Sequence, residues 1–239
     1  MRRVLHTLLI TQAMFALVVL AGCGGDGQSD AQAPKAAIEG NASDAAAGSA
    51  DAAPNSTDSD SGPAGAAQGD PKHPVVEFQT NLGTFRLKLD AEEAPLTVDN
   101  FLGYVARGHY DGTIFDQVFA GQGVIGGLYT PELEAKETQV PIRNEADNGL
   151  KNTRGSIAMV RAADAIDSAT AHFFINVADN PSLDHSDRTA AGFGYCVFGE
   201  VVEGMDVVDE ISRQEVRDSA DFQALPVETV LIESARRLR

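Results

Sequence analysis

The sequence predicts a mainly β domain, a barrel or sandwich of short strands with two α-helices covering its ends. Three observations predict it. From about residue 72 onward, apolar and polar residues alternate in many short runs broken by Gly-rich turns. Only two stretches switch to helical spacing. Residues 72–239 have the length of one domain and contain no internal repeat.

The elements follow in order. Val75 to Leu89 alternates in two runs, Val76 and Phe78, then Phe85, Leu87 and Leu89, with Asn81-Leu82-Gly83 between them as a turn. That is a hairpin. Val98, Phe101, Leu102 and Val105 recur at i, i+3, i+4 and i+7 behind Ala94-Pro95, with Gly108 after the last of them. Proline in the first turn and glycine past the end are the expected marks of a helix. Strand-like runs follow at Thr113–Phe119, Gly155–Val160, Ala171–Val177, Gly194–Val201 and Val227–Glu233. A second, short helix is expected at Met205–Ser212, where Val207, Val208 and Ile211 share a face.

Ahead of the domain stand two segments of different character. Arg2 and Arg3 precede the apolar stretch Leu8–Ala21, which is interrupted by Thr11 and Gln12 and falls short of the ~20 apolar residues a spanning helix needs. Residues 1–22 therefore read as a secretory signal. Its end, Leu20-Ala21-Gly22-Cys23, resembles the bacterial lipobox, which implies acylation of Cys23 and anchoring to a membrane. Residues 23–71 form a tether of Ala, Gly, Ser, Asp, Asn and Pro, with Ile38 as its single large aliphatic residue, and its composition predicts disorder. Of the chain's formal −17, the signal carries +2 and the tether −7, leaving −12 on the domain. A domain this acidic is a poor match for nucleic acid or an anionic surface. Cys23 and Cys196 are the only cysteines. With Cys23 lipidated, no intrachain disulfide is expected.

Four segments then become recognisable. AEEAPLTVDNFLGYVARGHYDGTIF (Ala91 to Phe115), PIRNEADNGLKNTRGSIAMVR (Pro141 to Arg161), SATAHFFINVADN (Ser168 to Asn180) and GYCVFGEVVEGMDVVDEI (Gly194 to Ile211) together resemble the cyclophilins, in particular the small bacterial ones. The resemblance spans nearly the whole domain. It implies a closed eight-stranded antiparallel β-barrel capped by two α-helices, and peptidyl-prolyl cis-trans isomerase activity without metal or cofactor. In that family a proline ring sits in an apolar pocket and an arginine donates to the imide nitrogen. The bond then twists more readily against an amide barrier of ~18–20 kcal/mol.

The resemblance also locates departures in the site. The family's strand runs Phe-His-Arg, then Gly-Phe-Met, then Gln-Gly-Gly; here Phe115 to Gly127 reads FDQVFAGQGVIGG. Gln117 stands at the arginine position. Gln122 and Gly123 replace the pocket's Phe and Met, Ile125 and His172 replace two substrate-contacting Gln residues, and Ser182 falls where many relatives carry Trp or Phe. Phe115, Phe174 and Leu183 keep the family pattern. Gln117 retains a donor, but a neutral one. Arg161, on a segment that lines the groove in relatives, is a candidate replacement cation; otherwise it is a solvated charge at the groove edge. His172 is a candidate general acid, or a hydrogen-bonding substitute for Gln.

Other motifs favour bland readings. Asp179 to Asp187 is oxygen-rich but lacks calcium-loop spacing, and the five histidines show no paired ligand spacing. Cys196, inside a strand, reads as a small packed residue. Gly121, Gly123, Gly126 and Gly127 look like loop glycines without the lysine of a phosphate loop. The expected protein is a monomeric isomerase with low turnover. It acts on proline-containing segments of exported proteins, lipid-anchored in the cell envelope and facing the periplasm. Gly24 hints at the outer membrane. The alternative is a non-catalytic peptide-binding chaperone or envelope scaffold on the same barrel.

Overall fold

A computed structural model gives the fold and describes residues 70–219 and 221–239. The signal, Cys23 and all but the last two residues of the tether lie outside the described residues.

The first hairpin is formed by β1 (Val75–Thr80) and β2 (Gly83–Leu89). The Thr80 hydroxyl pins its turn, donating to the Gly83 carbonyl at 2.8 Å and accepting from Leu82 N–H at 3.1 Å. Helix α1 (Pro95–Ala106) follows. Its N-cap, Ala94, has no capping side chain, so the first N–H groups need another acceptor. Glu145 supplies it from 48 residues away, accepting from Thr97 N–H at 2.9 Å and from the Thr97 hydroxyl at 2.8 Å. Gly108, at φ 66, lets the chain turn away after the helix.

The remaining elements are β3 (Thr113–Phe119), β4 (Gly123–Gly126), β5 (Ser156–Met159), β6 (Phe173–Asn176), β7 (Val197–Glu203), α2 (Met205–Ser212), β8 (Val216–Arg217), β9 (Leu225–Pro226) and β10 (Val230–Arg237). Eight strands close into a barrel in the order β1-β10-β3-β4-β6-β5-β7-β2, every neighbour antiparallel. Strands β8 and β9 form a separate two-stranded ribbon. The expected barrel with two helices is therefore present. Strand β4 was not among the runs legible by alternation, and β10 begins three residues later than its run and extends to Arg237.

Alternation divides the side chains between two faces. Phe78, Phe85, Leu87, Phe115, Val124, Ile157, Phe173, Ile175, Phe198 and Ile232 point into the barrel, joined by Val98, Phe101 and Tyr104 of α1 and Val208 and Ile211 of α2. The aromatic rings interlock, with Phe101 5.0 Å from Phe198 and 5.1 Å from Tyr110 between centroids. The opposite faces of β3 through β7 carry the candidate site.

Candidate active site

One cross-strand row runs over the outside of the barrel. Gln117 of β3 pairs with Ile125 of β4, Ile125 with Phe174 of β6, Phe174 with Ala158 of β5, and Ala158 with Val197 of β7. Leu183, from a 3₁₀ turn at Pro181–Leu183, packs onto this row together with Val160, and Phe119, Leu150 and Tyr195 lie against it. The result is an apolar strip with one amide, Gln117, at its end. The strip is closely covered: Phe174 is 0% exposed, Ile125 1%, Leu183 3% and Gln117 5%.

Tyr195 is part of that cover. Its ring meets Phe174 edge-on at 5.9 Å, and its backbone N–H donates to the Leu183 carbonyl at 2.9 Å. Burial raises its phenol above the ordinary tyrosine range. Tyr195 is not among the candidates named from sequence. The signal was available, because inward Cys196 and Phe198 place Tyr195 and Val197 on the opposite face.

At the Gln117 end lies a buried polar pair. A bulge between Phe115 and Gln117 accommodates Asp116, whose Oδ1 is 3.0 Å from Nε2 of His172. Asp116 is fully buried and His172 nearly so. The His172 ring meets Tyr129 edge-on at 5.9 Å, and Tyr129 in turn meets Phe222 at 4.9 Å. Asp116 Oδ2 is sealed without a partner. The Gln117 amide and His172 Nδ1 are not among the sealed atoms and make no hydrogen bond among the described residues. Asp116 lies within the motif FDQVFAGQGVIGG but is not a candidate by sequence.

Three expected site residues stand elsewhere. Phe115, expected to contact substrate, points into the barrel and meets Phe173 edge-on at 6.1 Å; the bulge after it turns Gln117 outward instead. Arg161 is neither a solvated groove-edge charge nor a free replacement cation. It is 5% exposed, and its guanidinium donates to the carbonyls of Gly194 at 2.8 Å, Ala162 at 2.8 Å, Ala163 at 3.3 Å and Ala190 at 2.7 Å while lying over the Tyr195 ring. Gln122 acts through its backbone: its carbonyl accepts from Val177 N–H at 2.9 Å and from Asn180 Nδ2 at 3.0 Å, and its Oε1 is sealed without a partner.

Gly123 belongs to β4, where a Cβ would stand 3.0 Å from the Ile175 carbonyl oxygen. Sheet packing thus explains that glycine. Ser182 lies exposed on the 3₁₀ turn at the rim. Cys196 is buried beside the Thr97 hydroxyl at 3.4 Å, and burial pushes its thiol up to about 12, which is no state for a nucleophile.

Comparison with known proteins agrees with this architecture. The family described as "Cyclophilin type peptidyl-prolyl cis-trans isomerase/CLD" matches residues 75–237. The chain is 51% identical to peptidyl-prolyl cis-trans isomerase cyp18 of Streptomyces antibioticus over 163 residues, covering 68% of this chain and 98% of that protein. It is 50% identical to peptidyl-prolyl cis-trans isomerase B of Escherichia coli over 160 residues, covering 67% and 97%. In fold it is similar to a Cryptosporidium parvum cyclophilin type isomerase solved in the presence of the dipeptide Ala-Pro. That match has a TM-score of 0.59 and 23% identity, and covers 69% of this chain and 99% of the other. The chain belongs to the cyclophilin-type peptidyl-prolyl cis-trans isomerases, an enzyme family.

Proposed function

We propose that this cyclophilin-type isomerase works with low turnover on proline-containing segments of exported proteins, as a monomer held in the cell envelope by lipid on Cys23. The observation that carries the low turnover is the end of the outer-face row: beside Ile125, Phe174, Leu183 and Tyr195 the polar group is the neutral amide of Gln117. A charged donor makes a hydrogen bond about twice as strong as a neutral one, and loss of a donor at such a position costs ~10²–10³ in rate. Arg161 offers no ready substitute, since four backbone carbonyls hold its guanidinium in place.

Exchange NMR on an Ala-Pro-Phe peptide with the mature chain tests this. A small rate enhancement is expected, rising about 10–100-fold in Gln117→Arg. A fast unaltered chain, or no gain from the arginine, defeats the low-turnover reading. The second reading, a peptide-binding chaperone without turnover, draws on the same neutral Gln117 amide beside the apolar row. Peptide shifts that report binding without exchange enhancement would select it. The anchoring rests on Leu20-Ala21-Gly22-Cys23 after a basic and apolar start. Cys23→Ser is expected to move the chain from the membrane fraction to the soluble periplasm; a variant that stays with the membrane overturns the anchor.

A further inference from the structure

The geometry points to Asp116 as a positioning residue: it fixes the tautomer of His172, so that His172 Nδ1 and the Gln117 amide together grip a peptide bond flanking the proline. This rests on the reading of the outer-face row as a peptide groove. A carboxylate oxygen accepts hydrogen bonds, so the 3.0 Å contact with the fully buried Asp116 calls for a ring proton on Nε2 of His172. In the singly protonated ring Nδ1 then keeps its lone pair. That atom is unsealed and has no hydrogen-bond partner among the described residues, and the same holds for the Gln117 amide next along the strand from Asp116.

An acceptor on one side and an NH₂ donor on the other complement the two edges of a backbone amide, which offers an N–H and a C=O. The edge contact from Tyr129, itself backed by Phe222, leaves the ring little room to turn. Asp116 touches no substrate in this arrangement; it acts through the imidazole.

The test uses the mature chain with an Ala-Ala-Pro-Phe peptide. Long-range ¹⁵N spectra of the unaltered chain are expected to show His172 protonated on Nε2. Asp116→Asn, which can donate as well as accept, is expected to populate the Nδ1–H tautomer and weaken the peptide Kd about tenfold, the loss of one hydrogen bond. His172→Gln removes the imidazole and with it the tautomer that Asp116 sets. Adding Asp116→Asn to it should change Kd by less than about twofold, because the two residues act as one unit.

A proton on Nδ1 in the unaltered chain overturns the inference, and needs no variant to fold. So does an equal loss from Asp116→Asn with and without His172→Gln. Binding without exchange removes the turnover proposed above and leaves this inference standing; no binding of any proline peptide removes both.

Discussion

Arg161 holds two stretches of chain together. Its guanidinium donates to Gly194, Ala190, and the neighbouring Ala162 and Ala163, and lies 4.8 Å from the Tyr195 ring centroid. The carbonyls of Gly194 and Ala190 belong to the connection that brings Tyr195 over Phe174, so a residue remote from catalysis shapes the strip. Arg161→Met keeps much of the apolar stem and removes the donors, so the Ala163 and Ala190 carbonyls lose this partner while the Gly194 carbonyl keeps Asn144 Nδ2. The expected cost is about 2–4 kcal/mol, read by urea unfolding, with a weaker peptide Kd as Tyr195 loosens. Unchanged stability would show that water replaces the guanidinium freely. None of this was legible in sequence, because the acceptors are backbone atoms 29 and 33 residues away. His172 was legible as a candidate, but its partner Asp116 depends on a bulge that alternation does not reveal.

At the level of elements, legibility followed the strength of alternation. β3 and α2 match their expected spans, Thr113–Phe119 and Met205–Ser212, because the apolar pattern covers each from end to end. β10 runs on past its apolar residues since barrel closure requires partners for β1, so Glu77 pairs with Arg236 and Val76 with Arg237. β4 was hidden by glycine. Its Val124 and Ile125 are flanked by Gly123 and Gly126, which read as a loop, yet a Cβ on Gly126 would stand 2.8 Å from the Ile114 carbonyl oxygen. The glycines are what let β4 lie between β3 and β6. Two neighbours separate this packing demand from plain turn geometry. Gly127 has φ 91 and would place a Cβ 2.6 Å from Phe173, whereas Gly121 has φ 72 and open space around it. Gly127→Ala should cost about 3 kcal/mol, combining backbone strain with overpacking. Gly121→Ala should cost about 1 kcal/mol from strain alone. Equal midpoints in urea for the two variants would contradict the packing argument.

For the whole molecule, the response to acid combines the part-buried imidazole of His109 with a large negative surface. His109 packs against Tyr104 at 4.7 Å and Tyr110 at 5.5 Å, and its Nε2 is sealed without a partner. Burial, and then the charge of Lys136, push its pKa down to about 4. A depressed imidazole binds its proton more readily in the unfolded chain, so its contribution to stability is complete above the unfolded value of ~6.5 and is lost as pH falls toward about 4. With partial solvent access the loss should be about 2 kcal/mol over that window. Carboxylates respond lower on the scale. Asp111, held down by Arg236, and Asp209, held down by Arg154, give up their stabilising pairs only as pH drops below 3.8. Relief of repulsion in a domain carrying −12 also waits for the exposed acids to titrate near ~4. Between pH 6.5 and 5 the His109 step is thus separated from both. Urea unfolding at constant ionic strength should show stability falling from pH 7.5 to 5 in the unaltered chain. His109→Phe keeps the ring contacts, removes the unpaired nitrogen, and should be flatter across the same range while still losing stability below pH 4. A slope between pH 7.5 and 5 that persists undiminished in His109→Phe would assign the step to another group and leave His109 as an inert part of the aromatic packing.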